Sequence, residues 1–173
     1  MHKLQRQANL LGALSLTVAD RMREAASAPA PSAGEGPAGL VALATFMEGS
    51  SIEELSRILG LSHSATVRLV DKLERGDLVA RRGADDARAV AVEPTPAGID
   101  LAEEIQQARI GALEQLLDPL SPAERSELTR LHEKLLEGLV ATGEPRGRIC
   151  RLCDAGACGH DRGRCPVTEA PRP

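Results

Sequence analysis

Apolar residues recur every three or four positions over residues 3–26, where Leu4, Ala8, Leu11, Val18 and Met22 form a stripe that Leu10 and Leu14 widen and the polar Ser15 interrupts. That period predicts a helix whose apolar face needs a covering surface. Residues 27–39 (SAPAPSAGEGPAG) lose the period, and their Pro, Gly, Ala and Ser content predicts a flexible connection. An apolar helix resumes over 38–48 with Leu40, Val41, Leu43, Ala44 and Met47.

Ser51 and Glu54 then form an S-x-x-E capping box, so a helix begins there, carrying Ile52, Leu55, Ile58 and Leu59 on one side. Gly60 ends it and Ser62 is the N-cap of the next helix, which runs to about Arg75 and is closed by Gly76. Two helices joined through Gly60-Leu61-Ser62 make the corner of a helix-turn-helix. The runs Leu78–Arg82 and Ala89–Val92 read as strands around the polar turn 83–88, a β-hairpin with a basic tip. Thr95-Pro96 is an N-cap followed by proline at the first helical position, opening a helix to about Leu117. A second capping box, Ser121 to Glu124, opens a helix with Leu128, Leu131, Leu135 and Leu139 at helical spacing. After Gly143 there is no periodicity. The predicted fold is mainly α with a small β-hairpin wing.

The 173 residues suffice for one domain with a small appendage. Phe46 is the lone aromatic, so the core must be built from Leu, Val, Ile and Ala. No apolar run is long enough to span a membrane. The N-terminus lacks a secretory cleavage signature, so a cytoplasmic location is expected. The net charge of −4 speaks against a polyanionic partner, but its distribution changes the picture. Residues 57–92 hold seven Lys/Arg against five Asp/Glu, a balance of +2. Residues 93–143 hold four against ten, a balance of −6. A basic middle beside an acidic helical segment suits a protein that turns one face to nucleic acid.

Along the second helix of the corner, Ala65, Leu69 and Leu73 are expected to face the core. Ser64, Arg68, Asp71, Lys72 and Arg75 then share the opposite face. A major groove admits one helix, and Arg68 is the candidate for a guanine contact. Ser62, Ser64 and Thr66 near the helix N-terminus are candidates for phosphate or base contacts, with Lys72 and Arg75 completing the interface. Arg88 at the wing tip is placed to enter a minor groove, with Asp86 supporting its guanidinium. The bland reading is a solvated amphipathic helix and a surface ion pair without a role.

Residues 38–141 resemble the MarR family of bacterial regulators. The resemblance rests on SIEELSRILGLSHSATVRLVDKLERGDLVARR and on Asp86-Ala87-Arg88 followed by Thr95 and Gly98. It implies a winged helix-turn-helix with a helical dimerisation domain, and a homodimer that binds a duplex DNA operator as a transcription regulator, a repressor rather than an enzyme. On that reading residues 1–26 are a dimerisation helix, 38–95 the DNA-binding domain, 96–142 further dimerisation helices and 143–173 a cysteine-rich tail. Pro94 stands where the family usually has Leu, the connection 27–39 is long for it, and the aromatics common around its effector pocket are missing. A small-molecule or redox effector is left open.

The tail is outside that pattern. Its Cys150, Cys153, Cys158 and Cys165 have the spacing C-x2-C-x4-C-x6-C. Four thiolates at this spacing predict a tetrahedral zinc site, with an iron–sulfur cluster as the alternative since Cys165-Pro166 resembles the end of ferredoxin cluster motifs. His160 is a substitute for one thiolate. Free thiols, disulfides and thiol redox chemistry are the competing readings. A thiol-redox protein, or a winged-helix protein–protein adaptor without DNA binding, is the alternative function. The tail follows the helix 121–141, which is placed in the dimer interface, so a metal site there is expected to bias the separation of the two winged arms without touching DNA.

Overall fold

The computed structural model describes residues 2–29, 36–83 and 90–171. Helix α1 (His2–Ser27) leads to α2 (Gly36–Phe46), a two-residue strand β1 (Ser50–Ser51), α3 (Ile52–Leu59) and α4 (His63–Arg75). Strands β2 (Val79–Gly83) and β3 (Val90–Pro94) follow, then the long helices α5 (Pro96–Leu117) and α6 (Pro122–Ala141). The tail folds into α7 (Arg146–Cys150), α8 (Ala155–Cys158) and a 3-10 turn, His160–Arg162. Among the described residues no helix is long and apolar enough to cross a membrane.

The sheet is antiparallel in the order β1-β3-β2. Val79 pairs with Pro94 and Gly83 with Val90, so the ladder runs to the strand's last residue although Pro94 has no N–H to give it. Strand β1, with Ser50 opposite Val92, was not predicted because two residues carry no period. Helix α2 begins at Gly36 rather than at 38, and Gly36 to Gly39 are buried instead of belonging to the connection.

The caps are local and form as expected. Ser51 and Glu54 make their reciprocal box, as do Ser121 and Glu124. The Oγ of Ser62 accepts from the amide of Ala65, and that of Thr95 from the amide of Gly98. One core joins α2, α3, α4, the sheet and α5: Leu40, Val41, Leu43, Leu55, Val70, Val79, Val92 and Ile105 are fully buried. Each such aliphatic contributes roughly 1.5–3 kcal/mol.

The two dimerisation candidates are largely uncovered by their own chain. Helix α1 lies along α5, and Ala26 at its C-terminal end enters the core. Residues 4–16 do not: Leu4 is 74% exposed and Leu16 72%, with Leu10, Leu11 and Leu14 also open. On α6, Leu131, Leu135 and Leu139 are exposed while Val140 is buried against the tail.

Candidate nucleic-acid interface and cysteine cluster

Gly60 gives the corner its shape. It sits at φ 69°, ψ 29°, and its amide donates to the carbonyl of Ser56, which ends α3 and turns the chain into the Ser62 cap. A residue with a Cβ adopts that left-handed conformation at a cost. Helix α4 then packs on the core through Thr66, Val70 and Leu73, with Leu69 partly buried. The predicted core stripe was Ala65, Leu69 and Leu73, so the helix is rotated from it. Thr66 is fully buried and its hydroxyl donates to the Ser62 carbonyl at 3.1 Å. It cannot be a DNA contact, which corrects that expectation: the methyl fills the core while the hydroxyl satisfies itself on the preceding turn.

The remaining α4 candidates share an open face. Ser62, Ser64, Arg68, Lys72 and Arg75 are all exposed. The Ser62 and Ser64 hydroxyls stand 3.2 Å apart, and the Arg68 Nε donates to the Ser64 carbonyl at 3.3 Å. The Arg75 Nε donates to the Asp71 carbonyl at 3.1 Å. These bonds draw each guanidinium back along the helix and use one donor each, leaving the others free. Arg88 and Asp86 lie outside the described residues.

Arg81 is a functional candidate that sequence reasoning missed. From β2 it binds the Asp71 carboxylate at 2.5 Å and also that of Glu74, both on α4. Hydrogen bonding to Asp71 and the field of both carboxylates hold its pKa above the ordinary value, against the effect of partial burial. Asp71 is therefore committed to the wing strand rather than to the open face. The pairing 7 and 10 residues apart fixes the hairpin's base against α4.

The tail packs on the end of α6 through Val140 and Leu136. It also folds back onto the helix-turn-helix. The Arg148 guanidinium lies over Gly60, where a Cβ would stand 3.4 Å from Nη2. At Gly147 a Cβ would meet the Ile58 side chain at 2.9 Å. Leu152 packs against the main core. Gln106 of α5 donates to both the Thr45 hydroxyl, at 3.0 Å, and the Cys153 carbonyl, at 2.9 Å. Arg146 ties the tail's start to its end through the Thr168 and Ala170 carbonyls, at 2.7 and 2.6 Å. His160, offered as a substitute ligand, is engaged elsewhere: its Nδ1 is 3.0 Å from the Thr168 hydroxyl and its ring meets Phe46 edge-on at 5.6 Å.

The four cysteines come together as two pairs of free thiols. Cys150 lies beside Cys153, and Cys158 beside Cys165, near enough in each pair for one thiol to shift the other's titration. In the first pair Cys153 is the more acidic: its neighbour Cys150 lowers it to about 7, aided by the Arg109 guanidinium and opposed by burial. Cys150 is pushed up in turn by Cys153 and by burial. Cys150, Cys158 and Cys165 line a cavity of about 150 Å³, closed by Phe46, Ile58 and Val167. Among the described residues no three His, Cys, Asp or Glu side chains form a ready metal cage.

Arg109, on α5 beside Cys153 and Asp154, was also missed. Its Nε is buried with no hydrogen-bond partner among the described residues, and desolvation lowers its pKa although both neighbours oppose this.

A short antiparallel sheet behind a helix-turn-helix, between long helices, defines a winged helix-turn-helix protein. The MarR family model matches residues 40–89. It is 34% identical over 95 residues to the transcriptional repressor MprA of Escherichia coli strain K12, a match covering 53% of this chain. The chain spans only 54% of that relative's length. A MarR family protein from Bacillus stearothermophilus superposes with a TM-score of 0.70 at 26% identity, covering 80% of this chain and 96% of that one. MepR, a transcription regulator of the Staphylococcus aureus multidrug efflux pump MepA, superposes at 0.65 with 20% identity, covering 76% and 97%.

Proposed function

We propose that the chain is a sequence-specific DNA-binding transcription regulator, a repressor, that acts as a homodimer. The observation that carries this reading is the open face of α4. Ser62, Ser64, Arg68, Lys72 and Arg75 are exposed on it while Thr66, Val70 and Leu73 anchor the opposite side. A guanidinium and short hydroxyls on a firmly seated helix suit base-edge and phosphate contacts in a major groove. The MarR family match, and the repressor activity in MprA's name, support the same reading. The uncovered leucines of α1 and α6 support a second copy as partner.

The test uses a duplex selected by the protein itself from a random pool, with affinity read by fluorescence anisotropy. Half-sites about one helical turn apart are expected, and an affinity that falls steeply with salt. Arg68→Ala is expected to cost about 1–3 kcal/mol and to relax preference at one position of each half-site. An unchanged preference would remove α4 from the groove.

Arg81→Gln tests the hairpin's footing. The ion pairs are partly exposed, so the stability cost should be about 1 kcal/mol or less by chemical denaturation. Operator affinity should fall further than stability does, because the wing loses its alignment with α4. Equal affinity for the two proteins would show that Arg81 only decorates the surface.

A further inference from the structure

We propose that Cys150, Cys153, Cys158 and Cys165 form a tetrathiolate site for a thiophilic metal centre, zinc or iron–sulfur, that clamps residues 146–170 onto the corner of the helix-turn-helix. The inference stands whether or not the chain binds DNA.

Three observations converge on it. The first is the insufficiency of the tail's own packing. Its helical segments have five, four and three residues, too short to persist alone. Its own cluster buries only Val140, Cys165, Val167 and Ala170. A segment of this kind gains order from a bound metal, whose binding energy becomes folding energy.

The second is placement. Cys150 and Cys165, fifteen positions apart in the chain, face one cavity together with Cys158. The Cys153 amide donates to the Cys150 carbonyl at 2.8 Å, a tight turn that keeps both thiols on one side. The cavity of about 150 Å³ lies against three of the four. A zinc ion requires all four sulfurs about 2.3 Å from one point, so the two pairs must close together. An iron–sulfur cluster spreads its four ligands over two or more irons and takes up more room. The adjoining cavity is the space in which either centre would be built. Both draw on the same ligand chemistry.

The third is charge. The buried Nε of Arg109 has no partner among the described residues, and the Cys153 thiol and Asp154 carboxylate lie beside its guanidinium. A partly buried cation gains from further negative charge placed next to it. Four thiolates around a divalent centre leave a net charge of −2, which adds that charge.

The consequence is mechanical. The same segment that bears the cysteines places Arg148 over Gly60 and Gly147 against Ile58. Closing the site therefore fixes the end of α3 and the turn that aims α4. Losing it frees them.

The full chain, expressed with iron and zinc supplied and purified without oxygen, is the material for the test. Elemental analysis should find about one centre per chain, either one zinc in colourless protein or iron with acid-labile sulfide in brown protein. Cys153→Ser and Cys165→Ser, one from each pair, should each lose most of it. Circular dichroism of the same samples should show the α1–α6 core intact. Removing the metal from the parent by chelation should speed amide hydrogen exchange across residues 52–62 by about tenfold or more, with the β2–β3 ladder unchanged. Metal-free parent protein with four titratable thiols would overturn the site, as would two disulfides in its place. Metal binding with unaltered exchange at 52–62 would overturn the clamp.

Discussion

A chain carrying Gly98→Val is expected to lose most of its folding stability. A Cβ at position 98 would lie 1.9 Å from the Leu78 carbonyl oxygen, 2.9 Å from its carbon and 3.3 Å from the Leu40 Cδ1. The first two are backbone atoms. They cannot rotate away as a side chain can, and the Leu78 oxygen is already accepting from the Thr95 amide at 3.1 Å. Relief requires α5 to lift from the β2 end of the sheet. That would break the Thr95 hydroxyl's bond to the Asp77 carbonyl, at 2.6 Å, and open the core at Leu40. The cost should be roughly 3 kcal/mol or more, a large share of the 5–15 kcal/mol a domain has. Gly138→Ala is the contrast. Its Cβ would meet nothing within 4 Å in the chain, and an alanine inside α6 should add up to about 1 kcal/mol. Chemical denaturation of both variants gives the comparison. A Gly98→Val protein as stable as the parent would mean that α5 does not sit where the structure has it.

The second large effect is expected from charge on the uncovered helices. Leu11→Glu combined with Leu135→Glu puts a carboxylate on each of α1 and α6, where both leucines are about half exposed in the single chain. Neither side chain supports the chain's own core, so the melting of an isolated protomer should be little altered. In a dimer each carboxylate would be buried without a partner, which costs several kcal/mol per site. Sedimentation equilibrium should therefore show a monomer where the parent is expected as the proposed dimer. Operator affinity should fall by roughly 100-fold or more, because two half-sites would no longer be bound as one event. A doubly substituted protein that stays dimeric would move the interface away from these helices.

Much of the local architecture was legible because its contacts span no more than four residues. The boxes Ser51 to Glu54 and Ser121 to Glu124, the Ser62 and Thr95 caps and the Gly60 stop each carry their reason within one turn of helix. The same holds for the exposed α4 candidates Ser64, Arg68, Lys72 and Arg75, which follow once the corner is recognised. Thr66 shows the limit. Its type suits a phosphate contact, and a rotation of the helix by about one residue, set by how Val70 seats in the core, makes it a buried post instead.

By itself the sequence determined the order of the elements, the helix-turn-helix corner, the family resemblance and the clustering of four cysteines along the chain. Tertiary structure alone decided where those cysteines lie. Gln106 reaches Thr45 across 61 positions and Cys153 across 47, and Arg148 comes to rest on Gly60. No periodicity records such contacts, since each depends on α5 and α6 first bringing distant segments together. Arg81 and Arg109 were hidden for the same reason. An arginine in a sequence is a charge of known sign, and only its folded neighbours, carboxylates for Arg81 and thiols for Arg109, decide what that charge holds in place.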